Sequence, residues 1–250
     1  MKKTIIMLLA MSGIASAALE QIASMDDLLA GATLGTGVTN TSSEYTNSTV
    51  LNFVADHSAV IGITNSGLAD IINAKTGYLT IAAWINPTAV SESSIFGWGG
   101  QSDGVKVAIK GGKAQETTKG LFDHTLSGCD SITTGDWQLV AFSIALNGSN
   151  TSRYLTGDDA GRYWSGQDWG TWNGTASTFA IGSARSNEVS DRFLGDIANL
   201  TLYYSTEAAT KGDLQAAGIT NLKPIAVPEP ATATLSLLAL AGLCARRRRH

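Results

Sequence analysis

Gly135-Asp136-Trp137-Gln138-Leu139-Val140-Ala141-Phe142-Ser143-Ile144-Ala145-Leu146 decides the fold. Val140, Phe142, Ile144 and Leu146 fall at every second position, and small or polar residues fill the gaps. A period of two puts all four on one face of a strand, whereas a helix would scatter them around its axis. The same texture recurs along the chain. Short apolar segments at 50–55, 59–63, 78–85, 94–98, 105–109, 137–146, 178–181 and 193–204 are separated by Gly, Asn, Asp and Ser clusters. Regular short strands with turn residues between them, in a chain with 27 glycines, predict an all-β protein. Its two antiparallel sheets should pack as a jelly-roll sandwich. Helical signals are few. A weak pattern runs through Ile22, Met25, Leu28 and Leu29 to Gly31, and a short helix is expected within 206–217, closed by Gly218. Residues 32–49, rich in Thr, Ser, Gly and Asn, suit an edge strand and loop more than a core.

Both ends of the chain carry export signals. Lys2 and Lys3 precede a short apolar run at 5–11, and Ala15-Ser16-Ala17 supplies the small residues of a cleavage site. This is the layout of a secretory leader, a signal helix cleaved between Ala17 and Ala18. At the other end, Val227-Pro228-Glu229-Pro230 leads into an uncharged run at 231–245, then Arg246, Arg247, Arg248, Arg249 and His250. The prolines forbid a regular helix or sheet ladder where they stand. Fifteen helical residues rise about 22 Å, a minimal transmembrane helix against a hydrocarbon core of about 30 Å. The arginines would hold its end on the cytoplasmic side. The chain is therefore expected to divide into a leader (1–17), a joining segment (18–49), the sandwich (50–218), a linker (219–226) and a tail (227–250).

Of 17 basic and 21 acidic residues, the region 18–226 keeps 11 and 20, a net charge of −9. Nucleic acid is excluded as a partner, because phosphates require a basic footprint. The 209 residues of that region are enough for one sandwich with a substantial core. Cys129 and Cys244 are the two cysteines, and Cys244 lies in the tail, so no intrachain disulfide survives tail removal.

Leu79-Thr80-Ile81-Ala82-Ala83-Trp84-Ile85-Asn86-Pro87 resembles a strand of the laminin-G-like domains of the concanavalin A-like lectin/glucanase superfamily. The segments 135–142, Phe179-Ala180-Ile181-Gly182 and Phe193-Leu194-Gly195-Asp196-Ile197 through Tyr203 resemble three further family strands in the same order. The resemblance spans about residues 50–217 and implies a two-sheet jelly roll. In the last strand Phe193, Gly195 and Ile197 share a face, while Leu200 and Leu202 have the other parity. One β-bulge near Ala198–Asn199 would return both sets to the core. Where the family places acidic residues in that turn, this chain has Ala198 and Asn199. The tail, in turn, resembles the PEP-CTERM sorting signal of Gram-negative bacteria. That resemblance implies transient retention at the inner membrane and processing near Pro228-Glu229-Pro230 by an exosortase-type enzyme, with the basic block 246–249 completing the signal. The mature protein would then reach the cell surface or extracellular matrix.

Chemistry is sparse. Hydrolases of the superfamily present carboxylates as E-x-D-x-x-E on one strand face, and no segment here has that spacing. Asp158 and Asp159 are adjacent, so on a strand they would face opposite ways, and beside Gly157 they suit a turn. Asp123, His124, Cys129 and Asp130 suggest a nucleophile, but no elbow or oxyanion motif accompanies them. No His/Cys spacing fits zinc. No cofactor is expected, although Asp158, Asp159, Glu188 and Asp191 are candidates for a calcium ion at the sandwich rim. The aromatic segment Tyr163-Trp164-Ser165-Gly166-Gln167-Asp168-Trp169-Gly170-Thr171-Trp172 holds three of the six tryptophans. Such rings can stack on sugar C–H faces while neighbouring polar groups take the hydroxyls, or can pack beneath their own loop. Trp98, between two glycines, is a second candidate, while Trp84 and Trp137 are read as core. These features predict an exported, non-catalytic module that binds a glycan or other extracellular polymer through Tyr163, Trp164, Trp169 and Trp172. A structural or adhesive matrix component is the alternative, and a glycoside hydrolase the third class.

Overall fold

The computed structural model describes residues 18–30, 32–46, 48–54, 61–100, 104–118, 122–126, 131–148, 152–157, 162–163, 175–184 and 191–227. In chain order its strands are β1 (Glu20–Ala23), β2 (Thr33–Leu34), β3 (Val38–Asn40), β4 (Tyr45–Thr46), β5 (Val50–Phe53), β6 (Ile61–Ile63), β7 (Tyr78–Pro87) and β8 (Glu92–Trp98). They continue as β9 (Val105–Lys110), β10 (Lys113–Thr118), β11 (Phe122–Thr125), β12 (Gln138–Ala145), β13 (Arg153–Tyr154), β14 (Arg162–Tyr163), β15 (Phe179–Ile181), β16 (Gly195–Ser205) and β17 (Ile225–Ala226). Among the described residues the α-helices are α1 (Met25–Leu29), α2 (Ser66–Asn73) and α3 (Lys211–Ala216).

Sheet I runs β14-β13-β12-β7-β16-β5-β3, with β1 added on β16, and sheet II runs β11-β10-β9-β8-β15-β6-β2. The ladders between named strands are antiparallel, as the turn-rich sequence requires. All eight apolar segments read from sequence form strands, and β2 and β3 place the polar N-terminal stretch at one edge of each sheet. The inward faces meet as predicted. Val140, Phe142 and Ile144 of β12 and Leu79, Ile81, Ala83 and Ile85 of β7 enter one core with Phe53, Phe96, Phe179 and Phe193. Phe96 stacks on Phe179 with centroids 6.2 Å apart, and Phe53 meets Phe193 edge-on at 6.2 Å. These offset and T-shaped contacts suit the ring quadrupole.

Three local readings are corrected. Ile22 lies in β1, and only Met25 to Leu29 are helical, started by a capping box between Ser24 and Asp27. Trp98 is 1% exposed and packs beside Phe96, so it is a core residue and offers no face to a ligand. Trp84 and Trp137, read as core, are only half-buried.

The expected bulge is present. The β16–β7 register shifts between Ala198 and Thr201, and Ile197, Leu200 and Leu202 are all fully buried in the core. Asn199 makes the turn at φ 50°, a left-handed conformation that asparagine tolerates better than most side chains. Its Oδ1 accepts from Thr49 N at 3.0 Å, and its Nδ2 donates to Ser48 Oγ at 3.1 Å and to the Leu222 carbonyl at 2.7 Å. The amide thus ties the bulge to the loop before β5 and to the C-terminal segment. Asn199→Ala is expected to lower the unfolding free energy by about 2–3 kcal/mol, from lost hydrogen bonds and left-handed strain. Asn199→Gly should recover only the strain; urea midpoints for both variants check this.

The outer face of sheet I is covered as well. Ala82 of β7, Ala141 of β12 and Tyr203 of β16 form a second apolar layer with Leu155, Ala209, Leu214 and Ile219. Small alanines on the strands let α3 and the 3-10 turn at Ile219–Asn221 lie close. Ala209 N donates to Ser143 Oγ at 3.1 Å, and Ser205 Oγ donates to the Glu207 carbonyl at 2.7 Å, which anchors the connection into this cap. The residues read as a linker, 219–226, carry that turn and β17, which pairs with β4. Val227 N donates to the Glu44 carbonyl at 2.8 Å. Pro228 follows directly, so the tail leaves from a point fixed on the domain surface.

Candidate functional site

Period two puts Trp84 on the opposite face of β7 from Ile81, Ala83 and Ile85, and its ring lies under the C-terminal cap. Trp84 Nε1 donates to the Ile219 carbonyl at 3.0 Å, and Lys223 Nζ lies 6.0 Å above the ring centroid. Beside it opens a cleft of about 460 Å³ between sheet I and the cap. Leu139, Leu155 and Leu214 give it an apolar floor, Trp84 and Trp137 its aromatic walls, and Lys211 and Lys223 its rim. Gln138, Thr156 and Thr220 add polar groups, and no carboxylate is among the described lining residues.

The walls are held in place. Gln138 receives Thr133 N at 3.1 Å on Oε1, and its Nε2 donates to the Thr133 carbonyl at 2.7 Å, which fixes the turn that carries Trp137. Tyr45 of β4 meets the Trp137 ring edge-on at 5.7 Å. Burial first, then the Asp196 and Glu44 carboxylates, raise the Tyr45 phenol above its ordinary value, against a hydrogen bond from Trp137. Among the described residues neither Lys211 nor Lys223 is paired with a carboxylate.

Of the residues singled out in the sequence, Tyr163 ends β14 at the edge of sheet I, with Arg153 as its ladder partner. Arg153 pairs with Ser143, at the other end of β12 from the cleft at Gln138. Trp164, Trp169 and Trp172 lie outside the described residues, as do Cys129, Asp158, Asp159 and Glu188. So do Ala17 and the sorting residues Pro228, Glu229, Pro230 and Arg246 to Arg249; Ala18 begins the described chain and is exposed. Asp191, the remaining calcium candidate, accepts from Lys106 Nζ at 2.9 Å. Lys106 also bonds Glu92 at 2.9 Å. Burial opposes its charge, but the two carboxylates outweigh that effect and raise its pKa. Among the described residues no three His, Cys, Asp or Glu side chains converge as metal ligands. No helix among them is long and apolar enough to cross a membrane.

One carboxylate stands apart. Glu116 of β10 shares the inward parity of Ala114 and faces Val107 across the ladder. It is fully buried, and among the described residues both carboxyl oxygens lack a hydrogen-bond partner. Burial pushes its pKa well above the usual range; the nearby Ser152 hydroxyl pulls the other way but falls short of a hydrogen bond.

A two-sheet jelly roll with its cleft on a sheet face defines a lectin-like sandwich. The chain belongs to the concanavalin A-like lectin/glucanases superfamily, whose laminin-G model matches residues 62–210, and residues 226–249 match the PEP-CTERM protein-sorting motif. The sorting motif implies an exported protein of the cell envelope or surface. No curated protein matches the chain. Among solved structures, the binding domain of Paraclostridial Mosquitocidal Protein 1 is 12% identical with a TM-score of 0.51, over 82% of this chain and 52% of that one. The binding domain of botulinum neurotoxin DC, in complex with rat synaptotagmin II, is 12% identical with a TM-score of 0.51, over 77% and 46%. The receptor binding domain of a botulinum neurotoxin C/D mosaic serotype is 13% identical with a TM-score of 0.50, over 76% and 46%. At these identities the likeness shows the fold. The chain spans about half the length of these solved chains.

Proposed function

We propose that the mature domain is a non-catalytic binding module for an extracellular glycan, with the cleft beneath the C-terminal cap as its site. The carrying observation is the lining: two half-buried tryptophans over an apolar floor, with hydroxyl, amide and ammonium groups at the rim. Aromatic faces take sugar C–H groups, and convergent polar groups fix the hydroxyls. Hydrolysis needs two facing carboxyl groups about 5–10 Å apart, and the described lining offers none. Tyr163, Trp164, Trp169 and Trp172 are the second candidate contact.

A glycan array probed with the full chain in detergent tests this reading. Binding to at least one polysaccharide is expected, lost in Trp137→Ala while circular dichroism stays unchanged. Binding that survives Trp137→Ala but is lost in a Trp164→Ala, Trp172→Ala double variant would move the site to the aromatic segment.

Membrane contact is proposed as a processing stage at the inner membrane of a Gram-negative bacterium, after which the mature form resides at the surface or in the matrix. Pro228→Ala combined with Pro230→Ala should leave tail-bearing protein in the membrane fraction. A mature product of unchanged mass and location would contradict it.

A further inference from the structure

We propose that the cleft selects an acidic sugar, a uronate unit of an extracellular polysaccharide, whose carboxylate is taken by Lys211 and Lys223; this rests on reading the cleft as a glycan site. The first ground is charge. The region 18–226 has 20 acidic and 11 basic residues, yet among the described residues two lysines and no carboxylate line the cleft. Asp213, the acidic residue nearest Lys211 on α3, is buried and committed: its Oδ2 accepts from Thr210 N and Thr210 Oγ1, each at 2.7 Å. Neither lysine is neutralised from within the described fold.

The second ground is position. Lys223 Nζ stands 6.0 Å from the centroid of the Trp84 ring that walls the cleft, and Lys211 opens α3 among the same lining residues. The third ground is the floor. Leu139, Leu155 and Leu214 give a sugar ring an apolar surface to rest on and offer nothing to a bare inorganic anion. A plain hydrocarbon chain would leave the lysines and the Thr156 and Thr220 hydroxyls unused. A ring with one apolar face, hydroxyls and a carboxylate uses all of these features. The volume of about 460 Å³ lies within the usual range for small-ligand sites, about 300–1,000 Å³, and holds one or two sugar rings.

The test is calorimetric titration of the full chain in detergent with a galacturonate oligomer, its methyl ester, a neutral cello-oligomer of the same length and inorganic phosphate. The acidic oligomer should bind at least about tenfold more tightly than its ester, and a Lys211→Ala, Lys223→Ala double variant should lose the same factor. Added salt should weaken the acid and leave the residual ester binding unchanged. Equal affinity for acid, ester and neutral oligomer would overturn the inference and leave a neutral-glycan cleft. Acid binding indifferent to the lysine variants would also overturn it, by placing the site elsewhere. Phosphate competing as strongly as the oligomer would show a bare anion site and overturn it as well. If no saccharide binds at all, the glycan reading falls and this inference falls with it.

Discussion

Gly182→Ala is expected to lower the unfolding free energy by about 3–5 kcal/mol, a large part of the about 5–15 kcal/mol that holds a typical domain together. Gly182 follows β15 at φ 75°, a left-handed conformation that penalises any Cβ. Its backbone is also locked: its N–H donates to the Ile95 carbonyl at 2.9 Å, and its carbonyl accepts from Phe193 N at 2.9 Å. An added methyl would run into the Phe53 ring, which is itself fixed edge-on against Phe193 in the core. Neither the turn nor the ring can yield. Gly111→Ala is the control, since Gly111 has φ 58° but an added Cβ there meets nothing within 4 Å. It should cost only the conformational share, about 1 kcal/mol. Urea midpoints at unchanged m-value check both. Equal costs at the two sites would show that the Phe53 contact carries no weight.

Glu116→Met is expected to stabilise the domain at neutral pH by about 1–3 kcal/mol, because it removes a buried, unpartnered carboxylate and keeps the volume. The sign follows from linkage. A carboxyl whose folded pKa lies above its unfolded value binds more protons in the folded state. Its stabilising share is complete below the ordinary value of 4.5 and is lost as pH rises through the elevated folded pKa. Wild-type stability should therefore fall as pH rises above 4.5, and the Met variant should lose that slope. Glu92 and Asp27 act oppositely and in a lower window: their depressed pKa values contribute stability that is lost as pH falls below the ordinary range. For Glu92, burial works against the shift, and the Lys106 and Lys110 hydrogen bonds outweigh it. A denaturation series across pH separates the two windows. A Met variant less stable than wild type at neutral pH would show that Glu116 has a partner in solution.

Much of the fold was legible because burial imposes period two on β7, β12 and β16. Even the bulge followed from the parity conflict between Ile197 and Leu200. The β10 strand was missed because Lys-Ala-Gln-Glu-Thr-Thr carries almost no apolar signal. Its cue was Gly111-Gly112, a two-residue hairpin loop with φ 58° and 72° at the two positions. The α2 helix was missed because Leu68, Ile71 and Ile72 complete only two turns between strands. The cleft itself could be read only in part. Trp84, read as core, is out of parity with its buried neighbours, and that parity is the signal for the outer face. The alternation of Ala82 and Ala141 with core residues likewise signals something packed closely outside. Lys211 and Lys223 carry no such signal. They reach the cleft only because Ile219 accepts the Trp84 hydrogen bond and Asn199 holds Leu222, contacts between residues far apart in sequence.

The most direct test of binding at the outer-face cleft is an NMR titration of the tryptophan indole N–H signals with a bound oligosaccharide. The Trp137 and Trp84 signals are expected to shift together with ligand concentration, while that of Trp98, sealed in the core, stays in place. Shifts confined to Trp164, Trp169 and Trp172, with Trp84 and Trp137 unmoved, would contradict the account.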